Sequence, residues 1–92
     1  METVTVFCPA GLSDNKDPLK QGKVFVAIGI AYESMEAAIE AVKYHFRDNC
    51  PGGKEGHPFN VYTSQDGNAI VEVLGNGPMH TIGLYKIVKG IS

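Results

Sequence analysis

Ser34-Met-Glu-Ala-Ala-Ile-Glu-Ala-Val-Lys-Tyr-His-Phe-Arg-Asp-Asn49 decides the fold of this chain. Ser34 is of the type that caps a helix, and Met35, Ala38, Ile39, Val42 and Phe46 fall on one stripe at helical spacing. Cys50-Pro51-Gly52-Gly53 then stops the run. Glu36, Glu40, Lys43 and Arg47 lie on the opposite face, where Glu40 and Lys43 are spaced to pair. A charged stripe of this kind reads first as a solvated face. Tyr44 and His45 flank the apolar stripe and are expected to be half-buried.

Working outward, the residues on either side of this helix have strand character. Val4, Val6 and Cys8 alternate with Thr3, Thr5 and Phe7, giving a first strand that Pro9 is expected to end. Residues 9 to 22 then read as a long polar connection. Val24 to Ala31 is apolar on both faces, the pattern of an interior strand, with Val26 and Ile28 expected to be buried. After the helix, Phe59 to Thr63 alternates, and Gln65-Asp66-Gly67-Asn68 is a hairpin turn leading into Ala69 to Leu74. Gly75-Asn76-Gly77-Pro78 is a second turn before Met79 to Val88. The fold expected is α+β: a single helix packed on an antiparallel sheet of about five strands, in the order β-β-α-β-β-β.

At 92 residues the chain is long enough for one domain, residues 1–92, and too short for two. Its 43% hydrophobic and 20% charged residues describe a folded protein, not a disordered one. Ten acids against eight bases, with neither sign in a block, give a formal net charge of −2. Electrostatic capture of phosphate backbones has little to act on, so direct nucleic-acid binding is not expected. The start, Met1-Glu2-Thr3-Val4, has no basic, apolar leader, and no run approaches the roughly 20 apolar residues of a membrane span. A cytoplasmic location and no membrane partner are the expectation.

The vocabulary of catalysis is thin. Cys8 and Cys50 open the similar runs Cys8-Pro9-Ala10-Gly11 and Cys50-Pro51-Gly52-Gly53, but two cysteines in a cytosolic chain read as reduced thiols. No CxxC pair exists, and Cys50 with His57 is too small a set for zinc, so no metal is expected. His45, His57 and His80 are scattered over helix, loop and last strand, with no serine or cysteine in a nucleophile motif beside any of them. His80 reads as an exposed strand-start residue. Glu72 is the one acid in an apolar strand, and an edge position facing water is the simpler account of it. Gly52, Gly53, Lys54 and Gly56 follow a helix instead of opening one, which excludes a phosphate-binding loop. No catalytic residue and no cofactor are assigned, and the chain is not expected to be an enzyme.

What the sequence offers instead is surplus loop. A hairpin between the first two strands closes with two to five residues, yet the connection occupies residues 9 to 22. The helix-to-strand loop is also longer than it must be. Leu12, Lys16, Asp17, Lys54 and His57 are therefore the expected partner-binding residues, in a non-covalent contact. A homodimer is expected as well, because Thr81 to Val88 is apolar on both faces and its terminal position suggests an edge that a second copy would cover.

Short strands around the Ala-rich helix Ser34-Met-Glu-Ala-Ala-Ile-Glu-Ala-Val, followed by a meander near the C-terminus, resemble small phage-encoded proteins that block bacterial defence, anti-CRISPR proteins among them. The resemblance covers layout and no motif, so it carries over no residue. It implies a cytoplasmic inhibitor that occupies a surface of a host protein complex by non-covalent contact. Many such inhibitors are acidic mimics of nucleic acid; the slight charge here favours steric blocking. Two alternatives remain: an oligomer that sequesters a small nucleotide signal between subunits, and a small ferredoxin-like enzyme that uses a sheet face as a cavity.

Overall fold

The computed structural model describes residues 3–14, 22–49, 56–75 and 81–91. In chain order its elements are β1 (Thr5–Asp14), β2 (Lys23–Ala27), α1 (Met35–Asn49), β3 (Phe59–Thr63), β4 (Ala69–Leu74) and β5 (Thr81–Ile91). The helix begins as its sequence requires: the Ser34 hydroxyl accepts from the Ala37 amide at 3.1 Å, satisfying a donor that has no partner inside the helix. Ala38, Val42 and Phe46 are buried, and Met35 and Ile39 pack beside them. The fold is α+β, one helix on one face of a five-stranded sheet.

All pairings in that sheet are antiparallel, and the strand order is β2-β1-β5-β4-β3. The last three strands form the expected meander. At the β3–β4 turn, Gly67 adopts φ 85° and its amide donates to the Ser64 carbonyl at 3.2 Å, a backbone geometry that glycine accepts without a Cβ clash. The turn expected at Gly75 to Pro78 lies outside the described residues beyond Gly75 itself.

Three strand assignments differ from the sequence reading. Pro9 does not end the first strand; β1 runs on to Asp14. The Pro9 carbonyl accepts from the Ile28 amide at 3.1 Å, so proline's missing N–H falls on the β2 side, just where the ladder from β2, which starts at Ala10↔Ala27, has ended. Most of the supposed 9 to 22 loop is therefore strand or lies outside the described residues. Second, β2 is an edge strand and stops at Ala27. Val26 is 51% exposed, whereas Ile28, just past the strand end, is 8% exposed and belongs to the core. Beyond it the chain bends through Gly29, and Tyr32 returns to exchange two backbone hydrogen bonds with Phe7, at 2.6 and 2.9 Å.

Third, β5 is the central strand and not an edge: β1 closes on one side of it and β4 on the other. This accounts for its apolar residues on both faces. Tyr85 and Ile87 point under the helix and are buried with Val71, Val73 and Ala69 of β4. Gly11 leaves room for the Tyr85 ring; a Cβ there would stand 2.8 Å from Tyr85 Cε1. Edge-to-face contacts of Phe46 with Phe59 at 6.1 Å and with His57 at 5.8 Å close the other end of the core.

Candidate association surface on the open sheet face

The helix covers one face of the sheet, so the chemistry of the other decides what the molecule can do. Strand alternation assigns it: Pro9, Gly11, Val71, Val73, Tyr85 and Ile87 are buried toward the helix, which turns their neighbours to the open side. One row across all five strands reads Ala27, Ala10, Lys86, Ile70, Tyr62. The next sets Leu12 beside Phe25 and places Leu84, Glu72 and Asn60 side by side. Cys8 beside Val88 forms a third. The result is a broad, mostly aliphatic surface. Ile70 and Val88 are 39% and 41% exposed, and Ile82 and Tyr62 are exposed as well. A depression of about 360 Å³ in it is bordered by Tyr62, Ile70, Lys86 and Val88.

Glu72 and Lys86 are the charges in the interior of this face, with Lys23 at its corner. Glu72 and Lys86 each have a partner within the face. The Thr81 hydroxyl donates to Glu72 Oε2, and the Tyr62 hydroxyl donates to Glu72 Oε1 at 3.1 Å. These hydrogen bonds, Thr81's foremost, stabilise the charged carboxylate and hold its pKa below the ordinary value of 4.5. Lys86 Nζ sits 4.5 Å from the centroid of the Phe25 ring, a cation–π contact. The edge position expected for Glu72 is corrected, since β4 has a neighbour on both sides; the carboxylate does face the open side of the sheet, where two hydroxyls hold it.

On the helix side a groove of about 490 Å³ runs between α1 and the Ile28 to Tyr32 segment, bordered by Tyr32, Glu40, Tyr44, His45 and Asp48. His45 Nδ1 and the Tyr85 hydroxyl share a hydrogen bond of 3.1 Å, with their rings edge to face at 5.7 Å. Tyr44 is more exposed than its flanking position on the helix suggested, and its ring carries the Arg47 guanidinium at 5.5 Å. Among the described residues no three His, Cys, Asp or Glu side chains gather closely enough to hold a metal ion. No helix among them is long and apolar enough to cross a membrane.

The five residues expected to bind a partner do not form one site. Leu12 is in β1, half-buried on the open face, and not in a loop. His57 is half-buried against Phe46, at the end of the core. Lys16, Asp17 and Lys54 lie outside the described residues, as do His80 and Cys50, while Cys8 is an exposed free thiol. Sequence reasoning missed the open face itself. Its signal was present in the alternation of Val6, Cys8, Ala10 and Leu12 and of Ile82, Leu84 and Val88, residues that a two-layer protein leaves uncovered. Comparison with known proteins finds no matching family model, no matching curated protein and no matching solved structure.

Proposed function

We propose that this protein acts by non-covalent protein association, without chemistry of its own, and that the open face of the sheet is its association surface. One observation carries the reading: among the described residues, a five-stranded sheet covered on one side only, whose other side is mostly aliphatic and whose interior charges are already partnered within the face. Contiguous exposed apolar surface on this scale marks interaction sites. Charges that keep partners on desolvation lower the cost of covering such a surface.

The resemblance to phage anti-defence proteins gives the associated form a target, a bacterial CRISPR-type complex blocked sterically in the cytoplasm. The near-neutral charge of −2 suits steric blocking better than imitation of nucleic acid. The test is phage plating on cells with an active CRISPR-Cas system. Expression of the chain is expected to restore plaques, and Val88→Glu on the open face to abolish the effect with the fold intact. Unrestored plating would remove the inhibitor reading, and full activity of the Val88 variant would move the contact off this face.

A second reading, sequestration of a small ligand, draws on the helix-side groove. Among the described residues that line it, two tyrosines, His45 and the carboxylates of Glu40 and Asp48 fit a small aromatic or cationic molecule better than an anionic nucleotide.

A further inference from the structure

Resting on the reading of the open face as an association surface, we infer that its occupant is a second copy of this chain, packed sheet against sheet, with Glu72 of each copy meeting Lys86 of the other. The sheet has the required extent. Five strands about 4.8 Å apart and six residues rising about 3.3 Å each give a footprint of roughly 24 by 20 Å. Two such faces in contact remove about 1,000 Å² or somewhat more from water, at the lower bound of a specific interface. Two sheets packed in this way stand about 10 Å apart, so side chains from both inner faces interdigitate.

Charge complementarity selects a second copy over an unrelated partner. A twofold interface is self-complementary: if one residue meets another across it, the reverse contact follows from symmetry. Among the described residues the interior of this face holds one acid and one base, on adjacent strands and one row apart. A twofold axis lying between the sheets and crossing the line from Glu72 to Lys86 at its middle and at a right angle sets each carboxylate opposite the partner's ammonium. Both groups have capacity for it. Two hydroxyls and the Asn60 side chain occupy part of the roughly four acceptor positions of the Glu72 carboxylate, and the Phe25 ring beside Lys86 offers no lone pair to its three N–H donors. The depression bordered by Tyr62, Ile70, Lys86 and Val88 receives apolar side chains of the other copy. The arrangement differs from pairing of strand edges, because β5, the strand first expected to do so, lies in the middle of the sheet. The two helices end on opposite outer surfaces of the dimer.

Light scattering and sedimentation of the full chain test this. The expected mass is twice the 9.9 kDa of the chain at micromolar concentration. Val88→Glu, on the face, is expected to weaken self-association at least tenfold, and Val61→Glu, on the helix side of β3, to leave it unchanged. Lys86→Glu and Glu72→Lys are each expected to be monomeric alone and to form a 1:1 heterodimer when mixed, since only the mixture sets opposite charges across the interface twice. Circular dichroism melts establish that each variant is folded; should either charge variant fail to fold, Val88→Glu still decides. A dimer indifferent to Val88→Glu and to Lys86→Glu pairs by another surface and overturns the proposal. A monomer at high micromolar concentration overturns the second copy as occupant. In that case, plating separates the two readings: loss of anti-defence activity in Val88→Glu preserves the face as an association surface for a different partner, and unchanged activity removes both.

Discussion

Phe46 of the helix lies directly over Gly83 of β5, where a Cβ would stand 3.1 Å from its ring Cε2 and 3.3 Å from its Cδ2. The helix rests on the central strand through this contact, and Phe46 is 3% exposed. Phe46→Ala is expected to lower stability by about 3 to 5 kcal/mol, since it leaves a cavity that the neighbouring edge-to-face rings cannot refill. Gly83→Ala should cost less, about 1 kcal/mol. Overpacking against Phe46 and Val73 costs on the order of 1 to 3 kcal/mol, and restricting a strand glycine returns part of it. Urea unfolding of both variants checks the ranking; equal losses would mean that the ring does not set the helix-to-sheet distance.

Ile28 and Val26 separate two accounts of the apolar run from Val24 to Ala31. Ile28→Asp puts an unpaired charge among core residues and is expected to cost several kcal/mol. Val26→Asp, on an edge strand and half exposed, should change stability by about 0.5 kcal/mol or less. The same denaturation experiment decides, and a large loss at Val26 would return β2 to the interior of the sheet.

The helix and the β3–β4 hairpin were legible because local physics specifies them: a capping serine, a 3.6-residue stripe and an Asp-Gly turn all act within a few residues. Strand order was not. A run that is apolar on both faces fits a strand inside the sheet, and it fits equally well an edge strand whose side chains meet a core on one side and an uncovered apolar surface on the other. Val24 to Ala31 is an edge strand only as far as Ala27, with no buried residue, and Ile28 just past its end is the one that reaches the core. Pro9 misled for a related reason: proline breaks a ladder only where its N–H is required, and the strand partner that would require it is absent at that position, a tertiary fact. The candidate site was illegible for the same cause. Leu12 was singled out as a loop residue and lies on a strand, and Glu72, Tyr62 and Thr81 converge only once β3, β4 and β5 are in register.

Glu72 supplies a pH-dependent test of that convergence. Its folded-state pKa lies below the unfolded value, so its contribution to stability is complete above the ordinary carboxylate range and is lost as pH falls through the folded pKa. Thr81→Val should raise the Glu72 pKa toward 4.5, and Tyr62→Phe should raise it by less, because the Thr81 hydrogen bond is the larger cause. Carboxyl-carbon NMR titration of the three proteins measures it. A Glu72 midpoint unmoved by Thr81→Val would show that this hydroxyl does not hold the carboxylate.

Leu12 and His57 were expected to share one contact surface, and their positions now give them opposite predicted phenotypes. His57 lies edge-on to the Phe46 ring at the end of the core. His57→Ala should therefore lower stability by about 0.5 to 1.5 kcal/mol, the worth of such an aromatic contact, and leave self-association unchanged. Leu12 lies on the open face beside Phe25, whose ring carries Lys86. Leu12→Asp offers Lys86 a competing carboxylate and introduces a charge where two aliphatic faces meet, so self-association should weaken at least tenfold, about 1.4 kcal/mol or more. Its effect on the monomer should be smaller than on association, because Leu12 is only half-buried. Melting temperature and light-scattering mass, read on the same samples, tell the two apart. If His57→Ala disrupts association while Leu12→Asp leaves it intact, the contact surface belongs to the loop after the helix and not to the open sheet.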